Sequence, residues 1–425
     1  MLKKIKNYLA GSEWKLFKPI YLGLGTGVSI PDIDMVIMAF FFAKGFSATE
    51  VGIGLSLQSL FLLLSEIPTG VFADLYGKRK SVQVSWLIQS LVFGLFFFIN
   101  QVWMMWLLFA FKGIGLTFSS GAFESLPFDI VKRTKKEYLI NKYYSTLEFV
   151  FQFATAFSNL NAILFLYFVG ANKEYLVFGQ VHQGLDFLWL TGCFGYFVGA
   201  MILSGVKEKT KKISFSIKKN IVKTVKITRT AIKYTTSHPV IKKLVVVGIL
   251  SEIVALLFSD VVYQSFLLDL EVGVSNLPIM VAIASLTGAT FSLVPKYYAN
   301  KFGSEKIYLT FMMWLKVLVL VSLFLLKNSL FSLVFFIVYF AFDSLISPIL
   351  NPFKQYFYDK KIRATLGSVE SLIRNVISIF LFPLIGYSVD NFGSQQTVLI
   401  SLIPLLASIY IFSSIKHKKF SKPKN

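Results

Sequence analysis

Glu66-Ile67-Pro68-Thr69-Gly70-Val71-Phe72-Ala73-Asp74-Leu75-Tyr76-Gly77-Lys78-Arg79-Lys80 is the stretch on which the fold turns. It closes an apolar run, 48–72, that is long enough to cross a bilayer, since a helix needs about 20 mostly apolar residues to span the ~30 Å hydrocarbon core. Gly70, Asp74 and Gly77 follow one another at intervals of four and three, and three bases come directly after. Gly77 permits a tight turn, and the bases hold that turn in water. The stretch therefore reads as the end of a membrane helix running into a basic loop.

Apolar runs of this kind recur on both sides of it. Of the 425 residues, 55% are hydrophobic and 15% charged, against about 25% charged in an ordinary soluble chain; the mean hydropathy is +0.66. Twelve spans can be marked, at 18–43, 48–72, 81–99, 102–128, 144–169, 185–204, 244–268, 276–298, 306–326, 329–351, 365–388 and 396–415. The expected fold is an all-α membrane protein with twelve transmembrane helices in two pseudo-symmetric six-helix bundles. The bundles occupy 1–204 and 244–415, joined by a basic linker at 205–243 and followed by a basic tail at 416–425. Ile217, Ile221 and Val225 recur at helical spacing in the linker, which predicts a basic amphipathic helix on the membrane surface. Pro31, Asp32 and Asp34 interrupt span 1, which is read as a retained helix and not a signal peptide.

The net charge of +21 would suggest nucleic acid in a soluble protein, but here the bases are sorted by loop. With the N-terminus in the cytoplasm, only Lys44, Lys173 and Lys327 fall in outer loops, and only Lys112, Lys316 and Arg374 fall well inside spans, away from their cytoplasmic ends, out of 43 Lys and Arg residues. All the others lie on the cytoplasmic side, as the positive-inside rule requires. That pattern excludes nucleic-acid binding and places both termini in the cytoplasm. A lone Cys193 and the scattered His182, His238 and His417 offer neither a disulfide framework nor a metal site.

The 70–80 stretch resembles the loop 2–3 signature of the major facilitator superfamily, on the side and after the span where that family carries it. The resemblance implies that spans 1, 4, 7 and 10 line a central cavity and that the loop 2–3 signature latches the cytoplasmic side. Gly70 would allow close helix approach, and Asp74 would face the N-terminus of span 11 near Ala364. Arg79 would pair with Asp129 at the end of span 4. Lys296, Asn300 and Gly303 are a decayed copy in loop 8–9, and Gly386, Asp390 and Gly393 form a third, similar string after span 11. In span 4, Lys112 followed by Gly113 and Gly115 is similar to the family's second motif. Residues 144–169 contain no Gly and no Pro, so the helix-5 motif of the drug–proton antiporters is missing.

An ionisable side chain at the bilayer centre costs at least ~2.5–3.5 kcal/mol on insertion scales, so each one asks for a purpose. The candidates for substrate or proton binding are Asp32, Asp34, Lys112, Glu124, Glu252, Asp260 and Asp343, on the four cavity spans. Asp32 and Asp34 lie about 200° apart on an ideal helix and cannot share a face. One of them is a candidate proton carrier; a structural pair with Lys112 is the alternative. Lys112 either binds an anionic substrate group or neutralises an acid. Glu370 and Arg374 are spaced to satisfy each other on span 11 or to contact the latch, and Lys316 on span 9 is expected to snorkel.

With no Gly-x4-Gly-Lys-Ser/Thr loop in the sequence, ATP is not the direct energy source. The expected function is secondary active transport of a small molecule by alternating access. Proton-coupled efflux of an amphipathic or cationic compound is the leading reading, because the candidate binding residues are mainly acidic and aromatic. Proton-coupled import of a nutrient or metabolite is the alternative, and a non-transporting receptor or a polytopic enzyme comes after it. No catalytic residue, cofactor or metal is expected. The expected partners are the substrate, protons and membrane lipid, around a monomer in a bacterial plasma membrane.

Overall fold

The computed structural model describes residues 12–31, 33–136, 139–208, 234–291, 304–325, 329–357 and 363–415. Asp32, the helical part of the linker and the Lys296, Asn300, Gly303 string lie outside the described residues. The chain divides into two compact units. The first comprises Met1–Phe40 and Leu57–Lys219, the second Phe41–Ser56 and Asn220–Asn425.

In the first unit, span 1 is built from α1 (Ser12–Ser29), a single 3-10 turn (Ile33–Val36) and α2 (Ile37–Ala43), whose last three residues belong to the second unit. The long α3 (Ala48–Tyr76) follows, its first turns belonging to the second unit. Next come α4 (Lys78–Phe96), then α5 (Val102–Thr117) and α6 (Ala122–Thr134), which together make span 4. The unit continues with α7 (Ile140–Val169), a two-stranded hairpin, β1 (Glu174–Val177) and β2 (Gln180–Gln183), and α8 (Phe187–Leu203). Gly77, at φ +100, is the turn between α3 and α4.

The second unit has a parallel construction. α9 (Pro239–Leu256) and α10 (Asp260–Asp269) make span 7, and α11 (Leu277–Phe291) belongs to span 8. α12 (Glu305–Leu325) is span 9, and α13 (Ser329–Ala341) with α14 (Asp343–Phe357) makes span 10. α15 (Arg363–Phe392) is span 11, and α16 (Ser394–Ile400) with α17 (Leu402–Ser413) makes span 12. Ten of the described helical segments are long and apolar enough to cross a membrane. The other two spans are α4, which opens on three bases and buries Ser81, Ser85, Gln89 and Ser90, and α11, which stops at the edge of the described residues.

Small residues set the packing where apolar side chains gain nothing over lipid. Gly23 and Gly27 on α1 meet Gly199 and Gly195 on α8; a Cβ at Gly195 would stand 2.8 Å from the Gly27 carbonyl, and one at Gly199 would stand 2.9 Å from that of Gly23. A Cβ at Gly113 would come 2.2 Å from the Gln58 carbonyl, so the glycine after Lys112 serves the α5–α3 approach. The close approach expected at Gly70 is not made: a Cβ there would meet nothing within 4 Å. Gly199→Leu forces a side chain into backbone and is expected to cost about 1–3 kcal/mol, read as a lower unfolding temperature in detergent. Gly70→Ala should leave that temperature unchanged.

Candidate functional site

All four spans expected to line a cavity are broken, and an acid stands in the first turn after each break. Asp34 lies in the 3-10 turn after α1, Glu124 opens α6, Asp260 opens α10 and Asp343 opens α14. The positive end of a helix favours a carboxylate at that position. Three carbonyls at the break in span 1 find side-chain donors: Asn161 Nδ2 bonds the Ser29 oxygen at 3.2 Å, Ser158 the Ile30 oxygen at 3.3 Å and Thr191 the Pro31 oxygen at 2.6 Å. At the break in span 4, Gly121 takes φ +66 and Ser81 donates to the Phe118 carbonyl.

Two of the sequence candidates share one cavity. Glu252 on α9 and Asp343 on α14 line a cavity of about 340 Å³ in the second unit, together with Lys316, Lys354, Glu370 and Arg374. The six charges form three pairs. Lys316 Nζ lies 2.6 Å from Asp343 Oδ1, Lys354 Nζ lies 3.2 Å from Glu370 Oε2, and Arg374 Nε lies 3.4 Å from Glu252 Oε2. Asp343, Ser347, Leu350 and Lys354 follow at intervals of four, three and four, which puts them on one face of α14, and all four line the cavity. Gly248 on α9 makes room for the Lys354 ammonium, which a Cβ there would approach to 2.9 Å.

The pairs differ in how they meet the cavity. Lys316 is buried, its Nζ 5.0 Å from the centre of the Tyr339 ring, while the Asp343 side chain is 59% exposed. In the third pair it is the cation, Arg374, that is 57% exposed. The cavity thus presents one carboxylate and one guanidinium to an incoming solute, each already held by a less exposed partner.

Several expectations need correcting. Lys316 does not snorkel: it stands near the middle of α12, roughly 15 Å from either end at 1.5 Å per residue, beyond the reach of its own side chain. That depth, readable in the sequence, was the signal for a paired residue. Lys354, assigned to a loop, lines the cavity instead. Glu370 and Arg374 each have a partner on another helix, Lys354 and Glu252, because their shared face looks across the cavity and not along α15. Cations are therefore as numerous as acids here, which removes the acidic bias expected of the site.

In the first unit, Lys112 lies 3.8 Å from Asp34 and 5.2 Å from the centre of the Phe93 ring, in keeping with the neutralising role. Glu124 and Asp260 are exposed, and neither lines the charged cavity. The Arg79–Asp129 pair is replaced by Lys78–Asp129 at 2.6 Å. Arg79 instead donates to the Ser204 and Val206 carbonyls past the end of α8, while Glu208 accepts the backbone N–H groups of Lys78 and Arg79. Asp74 is exposed. The string after span 11 is occupied: Asp390 accepts the Ala48 and Thr49 N–H groups at 2.9 and 2.7 Å and the Thr49 hydroxyl at 2.5 Å, at the N-terminus of α3. Gly386 and Gly52 permit this approach, since a Cβ on either would come within 2.4 Å of a carbonyl oxygen.

A family model described as Major Facilitator Superfamily matches residues 22–383. Among solved structures, the nucleoside transporter NupG is similar at 12% identity and TM-score 0.71, over 95% of this chain and 99% of that one. A POT family peptide transporter is similar at 10% identity and TM-score 0.68, over 96% and 99%. The xylose transporter XylE from E. coli, in an inward open conformation, is similar at 14% identity and TM-score 0.63, over 95% of both chains. Likeness at these identities is a likeness of fold alone. No curated protein matches by sequence.

The burial of Lys316 makes its pair asymmetric. Asp343→Asn strands a buried ammonium, whereas Lys316→Met leaves a carboxylate with access to the cavity. Asp343→Asn is expected to cost on the order of 3 kcal/mol, and Lys316→Met clearly less. The double variant should match Lys316→Met. Unfolding temperatures of the three purified variants check this, and equal losses in the two single variants would contradict it.

Proposed function

The chain belongs to the major facilitator superfamily, and from that premise we propose that it carries a small polar solute bearing charge of both signs, in a proton-coupled alternating-access cycle. It is a multi-pass membrane protein and a secondary transporter of a small molecule, not an enzyme. The observation that carries the finer reading is the cavity of three cations and three carboxylates, with Asp343 and Arg374 turned toward its interior. A solute cation would compete with Lys316 for Asp343, and a solute anion would compete with Glu252 for Arg374. Binding in this way exchanges ion pairs already made, so the two states of the site stay close in energy, as a carrier that must also release its cargo requires. Asp343 is the proposed proton carrier, because protonation would loosen its hold on Lys316 and so couple occupancy to the pH gradient.

Orientation follows from the segregated bases: both termini and the basic linker are proposed to face the cytoplasm of a bacterial cell, with the protein a monomer in the plasma membrane. Gly70, Asp74, Gly77 and the Lys78–Asp129 pair are proposed to act on the cytoplasmic side, with Asp390 as a second latch at the opposite end of α3. Export of an amphipathic cation is the second reading. It is favoured by a groove of about 1070 Å³ in the first unit, lined by Trp14, Tyr21, Phe149, Phe153 and Phe157, with little polar surface.

Right-side-out and inside-out membrane vesicles, with and without an imposed pH gradient, test both readings against a panel of zwitterionic metabolites and lipophilic cations. Gradient-dependent accumulation of a zwitterion, lost in Asp343→Asn and in Arg374→Gln variants that remain folded, is the expected result. The vesicle orientation that accumulates it gives the direction. Movement of lipophilic cations alone, unaffected by Arg374→Gln, would replace the first reading with the second.

A further inference from the structure

The hairpin between α7 and α8 exposes apolar side chains where a water-facing loop would be polar. The β1–β2 register sets Leu176 directly opposite Val181, and both are exposed, Leu176 at 77%. The two-residue turn that joins the strands is Phe178-Gly179, with φ +50 and +78. Positive φ at both turn positions is the pattern that favours Asn-Gly, and a bulky side chain in that region is strained. Phe178 holds the strained position and is 87% exposed. The turn therefore bears a backbone cost with no compensating burial within the chain, the kind of outlier from which a functional role is inferred.

The other face of the hairpin is firmly attached. His182 is buried and stacks on Phe97 with ring centroids 4.0 Å apart, and Tyr175 donates to the Val169 carbonyl at the end of α7. The foot is tied by Gly184 N–H to the Lys173 carbonyl at 2.9 Å and Leu185 N–H to the Ala171 carbonyl at 3.0 Å. Four-residue strands reach roughly 13 Å at 3.3 Å per residue, so an upright hairpin would stand clear of the bilayer. This one lies over the helix ends, since the Phe178 ring is 6.1 Å from that of Phe98, two residues past α4. Tyr167 and Phe168, the last aromatics of α7, are exposed as well and precede the foot by a few residues.

We propose that this hairpin is an interfacial anchor, with Phe178, Leu176 and Val181 seated among the lipids at the boundary between headgroups and acyl chains, in the leaflet where α7 ends. Interfacial aromatic and apolar side chains are favoured at that depth, and there the exposed face ceases to be exposed. Lys173, whose ammonium lies 5.4 Å from the centre of the Tyr175 ring, stands at the foot, where phosphate groups would meet it. The proposal is independent of which solute the protein carries.

The chain has a single cysteine, so a Cys193→Ala background allows one spin label at a time in phosphatidylcholine–phosphatidylglycerol vesicles. Accessibility to oxygen and to a water-soluble nickel chelate is read at Phe178→Cys, with Phe168→Cys as the membrane reference and Lys135→Cys as the aqueous one. Oxygen accessibility severalfold above nickel at position 178, close to the Phe168→Cys value, is expected. A nickel-dominated value like that of Lys135→Cys would overturn the anchor, and so would a label shielded from both reagents, which would indicate a protein partner or a second copy. Phe178→Asn suits the turn and should preserve the hairpin, so a label at Leu176→Cys in that background should move toward nickel. No movement there would also count against the proposal.

Discussion

Every break in a membrane-crossing helix releases backbone polar groups into a medium with no water to satisfy them, and the rest of this structure is arranged around that constraint. At span 1 the carbonyls of Ser29, Ile30 and Pro31 are taken by Asn161, Ser158 and Thr191. Ser158 and Asn161 on α7 and Thr191 on α8 are thus committed to span 1, and the glycine contacts between α1 and α8 bring Thr191 within reach. Tyr308 on α12 donates to the Leu345 carbonyl in the first turn of α14, which ties α12 to the half-helix after the break in span 10. Breaks that are served in this way can be held open, and the half-helix that follows each one offers its positive end to an acid. The four acids are therefore a consequence of the four breaks as much as a set of functional groups.

The charges in the second unit follow a related logic. Lys316 is buried, and the only inexpensive way to keep it so is a carboxylate in contact. That carboxylate is itself steadied by the first turn of α14, so Asp343 is held by a helix terminus and by an ammonium together. The Asp343 side chain, although held twice, keeps more than half of its surface exposed. Arg374 shows the complementary arrangement, with Glu252 the more shielded partner. Stability and recognition are served by the same atoms, and neither would be served by a cavity lined with acids alone.

The fold was largely legible because its signals are long. Runs of about 20 apolar residues and a loop-by-loop segregation of bases survive errors of a few residues at each boundary. The motif at 70–80 was legible as a family mark but not in its contacts. Sequence order cannot say whether Lys78 or Arg79 turns toward Asp129, since adjacent residues diverge by about 100° on a helix. Glu208, which decides the matter by taking the two N–H groups at the start of α4, lies at the far end of the bundle in sequence. Lys316 was misread because span 9 is not one of the four spans expected to line the cavity, when its depth alone excluded snorkelling. The hairpin left only a weak trace, four-residue strands around a Phe-Gly pair that does not announce a turn in the way Asn-Gly does.

Asp390 bears on how such a molecule can change state. Three donors from the first turn of α3 converge on its carboxylate, and hydrogen bonds to a charged group contribute about 1.5–3 kcal/mol each. They are not additive, because two of the three donors are N–H groups that water would otherwise serve when the contact opens. The glycines set the geometry of the bonds: Gly386 and Gly52 let the two backbones come so close that a Cβ on either would stand within 2.4 Å of a carbonyl oxygen. A side chain at either position would hold the helices apart. The Gly-x3-Asp-x2-Gly spacing is shared with the stretch at 70–77, but only the string at 386–393 makes the close approach, since a Cβ at Gly70 would meet nothing within 4 Å. A small residue one turn before the acid admits the partner helix, and a glycine just after it ends the helix so that the carboxylate stands at the rim.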